Sequence, residues 1–388
     1  MAARGGGGGT MKVLVPLGTR PEIVKLAPVV HACVAAGLEV RTVATGQHHD
    51  ANLTDTFFDE LDLHPDARWA LTGSDTERLG QLLTRAAEEV AGSRPDVVLV
   101  LGDTNTVPAF CLAARRACVP VAHLEAGMRS GNPTSMEEVN RKVAAACASL
   151  HLAPTEVAAA FLRAEGVPAE RIRVVGNPVI DVLASRGVTR RPPAERNGVV
   201  VTAHRATNVD DPVRLAALVD IVLGLAALAP PVVFPVHPRT AARLEERGLR
   251  ARLDAPGVQL LDPLPYGEML DVLGTALLVV TDSGGLQEEA SWLGLPAVIL
   301  RRSTPRWEGV RAGASVLVGM DAGRALAEAS RLLSPAEQQR VAAIPCPYGD
   351  GTTGPAVAAL LADPATAALL ELAEPDFTDG SLPAGLAG

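Results

Sequence analysis

The feature that most constrains this chain is an alternation that runs almost end to end, in which short β-branched runs are separated by amphipathic stretches. "MKVLVPLG" (11–18) reads as a buried strand. Thr19 and Pro21 then open a helix in which Ile23, Leu26, Ala27, Val30 and Val34 share one face. "LEVRTVATG" follows as a second strand and "TERLGQLLTRAAEEVAG" as another helix. "PDVVLVLG", "VPVAHLEAG" and "RIRVVGNP" supply further strands, each after a helical stretch. Such alternation implies parallel strands joined by crossover helices, an α/β layered architecture.

The rhythm breaks at "DVLASRGVTRRPPAERNG" (181–198), where Arg, Pro, Gly and Asn crowd together, and then restarts with "GVVVTAHR", "PPVVFPVH", "GVQLLDP", "LLVVTDSGG" and "PAVILR". Two successive domains are therefore expected, at 11–180 and 181–355. A glycine-rich leader precedes them at 1–10. A helical segment at 356–373 is expected to pack back on the N-terminal domain, and a loose tail occupies 374–388. The 388 residues suffice for two cores. With 48% hydrophobic but only 3% aromatic residues, those cores must be built mainly from Ala, Val and Leu.

Composition also excludes classes of partner. Lys plus Arg number 35 against 44 Asp plus Glu, a net charge of −9, and broad nucleic-acid binding needs the opposite balance. There is no uninterrupted apolar run of about 18 residues, so no membrane span is expected. The five cysteines form no C-x-x-C pair and read as reduced core residues of a cytoplasmic protein. The histidines lack metal-ligand spacing, so neither a metal nor a cofactor is expected.

In open α/β sheets, ligands bind beyond the carboxyl ends of the strands. The polar clusters "GTRPEIVK", "GDTNT", "EAGMRS", "AHR" and "DSGG" all fall at such ends. Two facing domains would gather them in a central cleft. In "TDSGGLQEEASWLG" (281–294), a tight turn aims a helix start at open space and is followed by Gln287, Glu288 and Glu289. Helix N-termini hold anions, and acids beside the anion match hydroxyl groups. A nucleoside diphosphate answers both demands. Asp103 and Glu125 end two strands and Glu137 begins the helix of "EEVNR"; clustered acids raise one another's pKa values, which suits proton exchange. The ordinary alternatives are an N-cap for Asp103 and a first-turn helix acid for Glu137.

An ordered set of segments resembles the UDP-N-acetylglucosamine 2-epimerases, from Met11 to about Gly354. These are "GTRPEIVKLAP" (18–28), "GQH" (46–48), "PDVVLVLGDTNT" (95–106), "HLEAGMRS" (123–130), "EEVNR" (137–141), "APTE" (153–156), "GNPVID" (176–181), "TAHR" (202–205), "PVHP" (235–238), "TDSGGLQEEA" (281–290) and "PYGDG" (347–351). The resemblance implies two Rossmann-like βα domains with parallel sheets facing a central cleft, the GT-B fold. It implies elimination of UDP to a glucal-type intermediate and re-addition with a proton on the opposite face, with UDP-GlcNAc and UDP as ligands and a homodimer as the assembly. Asp103, Glu125 and Glu137 match the family's catalytic carboxylates, and His204 a histidine assisting the diphosphate. Arg20, Lys25, Arg129, Arg141, His237, Ser283, Gly284, Gly285, Glu289 and Arg306 match substrate-binding positions. Glu289 would take the ribose hydroxyls, while Glu288 and Gln287 face elsewhere. Domain opening and closing is expected around the ligand.

Some positions depart from the family pattern. Gln47-His48-His49 and His204-Arg205-Ala206-Thr207-Asn208 stand where the branch activated by a second substrate molecule reads Q-H-R and H-R-R-E-N. "TPRWE" (304–308) replaces T-E-R-P-E, Met136 replaces a proline, and Ala145-Ala146 replaces an Asp-His or Gly-His pair. Three other readings stay open: a hydrolysing epimerase releasing N-acetylmannosamine, a glycosyltransferase of the same fold, and a non-catalytic UDP-sugar binder.

Overall fold

The computed structural model describes residues 10–46, 55–372 and 378. The leader through Gly9, the Gln47-His48-His49 positions and most of the tail from Glu374 lie outside the described residues. The chain divides into two compact units, one running to Val182 and resuming at Gly349, the other spanning Leu183–Tyr348.

The first unit holds a parallel sheet of β1 (Lys12–Leu17), β2 (Glu39–Ala44), β3 (Ala67–Arg68), β4 (Val97–Leu101), β5 (Val121–Leu124), β6 (Leu150–Ala153) and β7 (Ile172–Val174), in the order β3-β2-β1-β4-β5-β6-β7. Both faces are covered. Val13, Val15 and Leu17 of β1 enter one core with Ile23, Leu26 and Val30, while Leu14 enters the other with Val98, Val100 and Phe110. Val34, expected on the buried helix face, is 57% exposed. Cys33 is buried in that core instead, one residue earlier in the turn.

The second unit repeats the plan with β8 (Val199–Thr202), β9 (Val232–Pro235), β10 (Val258–Leu261), β11 (Leu278–Thr281), β12 (Ala297–Ile299) and β13 (Ser315–Leu317), ordered β10-β9-β8-β11-β12-β13. In each sheet the strand order reverses beside the first strand, between β1 and β4 and between β8 and β11. Those reversals open crevices at the carboxyl ends of the strands.

The helix Thr353–Ala362 belongs to the first unit and packs on the helix Arg20–Ala35. Val357, Ala358, Leu361 and Leu370 join the core under β1. The Asp181 carboxylate caps the helix start, accepting the N–H groups of Thr353 at 3.2 Å and Gly354 at 2.7 Å. Gly354 permits the approach, because a Cβ there would lie 2.7 Å from the Pro28 carbonyl oxygen. Among the described residues no single helix is long and apolar enough to cross a membrane. All five cysteines are free, but Cys118 is exposed rather than in a core. It follows the helix Thr106–Arg116 in a left-handed turn (φ 54°) that carries it out of the layer.

Candidate functional site

The first unit gathers carboxylates and cations at the ends of β1, β4 and β5. Beyond β1, Thr19 and Glu22 form a capping box at the start of the helix Arg20–Ala35. The Thr19 N–H donates to Glu22 Oε2 at 2.5 Å, and the Thr104 hydroxyl, from the turn after β4, donates to Oε1 at 2.8 Å. Gly18 leaves room for this carboxylate, since a Cβ there would sit 2.2 Å from Oε2. Burial pushes the Glu22 carboxyl up to about 7; Asp103 adds to the rise, while the bonds from Thr19 and Thr104 oppose it. Arg20 is exposed at the first position of the helix.

One turn further on, Lys25 is buried with its Nζ 2.6 Å from Glu125 Oε1, and Asn177 Nδ2 donates to the same oxygen at 2.9 Å. Glu125 has φ 62°, a left-handed conformation uncommon for a residue with a side chain. Strain of this sort costs about 1–3 kcal/mol and clusters at functional sites. Gly102 and Asp103 follow β4. His123, neutral because burial pushes its ring down to about 4, donates from Nε2 to the Gly102 carbonyl at 2.9 Å. The Asp103 carboxylate is paired with Arg141, and Asn140 Nδ2 donates to the Asp103 carbonyl at 2.8 Å.

Arg141 also reaches Glu138 at 3.0 Å, and Glu138 accepts the Ser130 N–H (2.8 Å) and hydroxyl (2.9 Å). Glu137, half-buried on the first turn of the same helix (Met136–Cys147), accepts from the Ser135 hydroxyl. Arg129, expected against substrate, is buried and makes a two-bonded pair with Glu165 at 2.8 and 2.7 Å.

The second unit builds a different cluster beyond β8 and β11. Asp282, fully buried, accepts the N–H of His204 at 3.1 Å and of Arg205 at 3.0 Å, and the Asn208 amide at 3.0 Å. His204 Nδ1 lies 3.2 Å from Asp282 Oδ1. Burial would raise the Asp282 carboxyl, but His204 and the bonds from Arg205 and Asn208 prevail and hold it below its ordinary value. His237 sits 5.6 Å from His204 between ring centroids and caps the helix Pro238–Glu246 through Nδ1. Burial, then His204, push the His237 ring below its ordinary value.

After β11, Ser283, Gly284 and Gly285 lead into the helix Gly285–Leu293. The Arg306 guanidinium lies over Gly284, where a Cβ would meet Nη1 at 2.6 Å. Arg306 is held by fully buried Glu288 at 2.9 Å, and its N–H donates to Thr304, whose hydroxyl donates to Gln287. Glu288 and Gln287 therefore contact Arg306 and Thr304 respectively. Glu289 is buried beside Tyr266, whose phenol is pushed upward by burial and then by Glu289.

The family model described as UDP-N-acetylglucosamine 2-epimerase matches residues 31–362. The chain belongs to the UDP-N-acetylglucosamine 2-epimerase family. Members of this family are isomerases. One relative, the UDP-N-acetylglucosamine 2-epimerase of Methanocaldococcus jannaschii, is 35% identical over 369 residues, covering 90% of this chain and 99% of its own. A Pseudomonas aeruginosa UDP-2,3-diacetamido-2,3-dideoxy-D-glucuronate 2-epimerase is 38% identical over 320 residues, covering 80% and 88%. The M. jannaschii structure in complex with UDP-GlcNAc and UDP superposes with a TM-score of 0.78 at 33% identity over 90% of this chain and 99% of that one. The Neisseria meningitidis enzyme bound to UDP-GlcNAc gives 0.80 at 29% identity, with the same coverage. These neighbours carry the GT-B fold expected from the sequence.

Within this epimerase family chain, sequence reasoning passed over Glu22, Glu138, Asn177 and Asp282 as individual groups. All four lay inside segments already noticed, in "GTRPE", "EEVNR", "GNPVID" and "TDSGG". For Glu138 and Asp282 the available signal was position, since each adjoins a residue singled out, Glu137 and Ser283.

Proposed function

We propose that the chain interconverts UDP-GlcNAc and UDP-ManNAc without hydrolysis. A base removes the proton from sugar C2, and the C–H pair becomes the C1=C2 double bond. The C1–O bond breaks with its electron pair passing to the diphosphate, giving UDP and 2-acetamidoglucal. Re-addition forms C1–O again while a proton is delivered to the opposite face of C2. Asp103, Glu125 and Glu137 are the proton-handling groups in this reading. Arg20, Ser283, Gly284, Gly285, Arg306 and His237 hold the diphosphate, with His204 assisting its departure and Glu289 on the ribose. Arg129 and Arg141 support the turn and the helix that carry the carboxylates.

The observation that carries the reading is the pair of cation–carboxylate contacts at adjacent strand ends, buried Lys25 with Glu125 and half-buried Asp103 with Arg141. A diphosphate holder has no need of them, whereas a proton exchange needs oriented acids. The relatives solved with UDP-GlcNAc support the substrate class. The P. aeruginosa relative, which is named for a diacetamido uronate, favours a second reading in which the sugar is substituted. A cytoplasmic homodimer is also proposed. Leu79 and Leu83, Leu112 and Val139 are exposed apolar side chains on three helices, Asp75–Ser93, Thr106–Arg116 and Met136–Cys147, packed one beside the next.

Proton and phosphorus NMR in deuterated water, with UDP-GlcNAc and separately with the diacetamido uronate, tests this. UDP-ManNAc carrying deuterium at C2 is the expected product. Free N-acetylmannosamine with UDP would assign the hydrolysing reaction, and turnover of the uronate alone would move the substrate.

A further inference from the structure

Asp282 has more contacts than a strand-end turn requires. It is fully buried, and its two oxygens take backbone N–H groups from His204 and Arg205, the Asn208 amide and the His204 ring. Asn208 continues to the Leu300 carbonyl at 3.0 Å, so the turn after β8 is tied to the ends of β11 and β12. The backbone bonds explain why an acid sits there. They do not explain why the His204 ring turns Nδ1 inward, to 3.2 Å from Oδ1.

We propose that Asp282 is a positioning residue for His204, fixing the ring with Nδ1–H directed at the carboxylate and Nε2 turned to the ligand, and stabilising the charged ring. The proposal rests on the reading of His204 as the group that assists diphosphate departure. As the C1–O bond breaks and its electron pair passes to the phosphate oxygen, charged His204 gives that oxygen the Nε2 proton and keeps the N–H pair. Re-addition returns the proton. A carboxylate on the far nitrogen selects the tautomer and supports the cation, the arrangement of the Asp–His half of a hydrolytic triad. The other charged or titratable groups facing His204 are His237 from the start of the helix Pro238–Glu246 and Arg205 next in the chain, with Arg239 behind His237. Each is cationic or able to become so and opposes a charged His204, leaving Asp282 as the supporting anion.

Asp282→Asn keeps an oxygen for the backbone donors but turns an NH2 group toward Nδ1, which favours the wrong tautomer. The variant is expected to bind UDP within a few-fold of wild type by calorimetry, and to lose about 10²–10⁴-fold in kcat. The loss should fall on kcat with KM little changed, because the ring is still present but is turned to the wrong tautomer. A kcat profile coincident with wild type would overturn the proposal. His204→Gln run in parallel separates the two ideas: wild-type kcat in that variant would mean that His204 itself does no work and the underlying reading is at fault. Nitrogen-15 NMR of histidine-labelled wild-type protein, assigned against His204→Gln, needs no folded Asp282 variant. At a pH high enough for the ring to be neutral, His204 is expected in the Nδ1–H form, and the Nε2–H form overturns the proposal.

Discussion

Glu22 takes its proton affinity from where the chain buries it. Its carboxyl rises from an ordinary 4.5 to about 7 on folding, chiefly through burial. Between those values the folded chain holds a proton that the unfolded chain has released. Stability from this group therefore falls as pH rises through that window, and above about 7 the full cost, roughly 3 kcal/mol at 1.36 kcal/mol per pKa unit, remains. Glu22→Gln, which resembles the protonated acid, is expected to shrink the loss of stability between pH 5 and pH 8 by about 2–3 kcal/mol in urea unfolding. The same pH dependence in variant and wild type would place the titration elsewhere. The sequence pointed instead to Asp103, Glu125 and Glu137 as the clustered acids. That a lysine and an arginine press on the first two was hidden, because the contacts join residues 100 and 38 positions apart. The Thr104 bond to Glu22 likewise spans 82. Motif spacing shows which residues travel together, and only the sheet order shows which of them meet.

At the scale of elements, most strands were legible: β1, β2, β4, β5 and β7 to β12 all lie within segments read as strands. β3, β6 and β13 were not read: β3 has two residues, too few for a period to register, β6 reads "LHLA" with a histidine at its centre, and β13 is the short "SVL". His151 is nevertheless buried, its ring pushed down to about 3 by burial and by nearby cations and His123, so a residue that looks polar on paper is neutral core here. The turn after β5 gives a sharper test. Gly127, φ 80°, approaches the helix Glu156–Ala164 so closely that a Cβ would lie 2.2 Å from the Ala158 carbonyl oxygen and 2.8 Å from Leu162 Cγ. Gly127→Ala combines a left-handed penalty of about 1–2 kcal/mol with overpacking of about 1–3 kcal/mol. A loss of about 2–5 kcal/mol in chemical unfolding is expected. Unchanged stability would mean that the helix yields without cost.

For the whole molecule, the proposed dimer makes the exposed leucines of the first unit its test. Wild-type protein is expected to sediment as a dimer at micromolar concentration, and Leu79→Glu with Leu112→Glu as a monomer with unchanged circular dichroism. A monomeric wild type sinks the idea. The break at 181–198 was visible as a change of composition and a packing-back of the segment 356–373 was expected, but the chain resumes the first unit earlier, at Gly349, since nothing local marks the residue at which one core resumes. That return has a consequence for how the protein is born. A ribosome delivers residues 183–348 before the helix Thr353–Ala362 exists, so the later half can close its core while the earlier half is still missing Val357, Ala358 and Leu361. Until Gly354 reaches Pro28, the flank of the helix Arg20–Ala35 stands bare. The half made first is finished last, and the interval in which a nascent chain shows apolar surface to chaperones is set by the time taken to translate the other half.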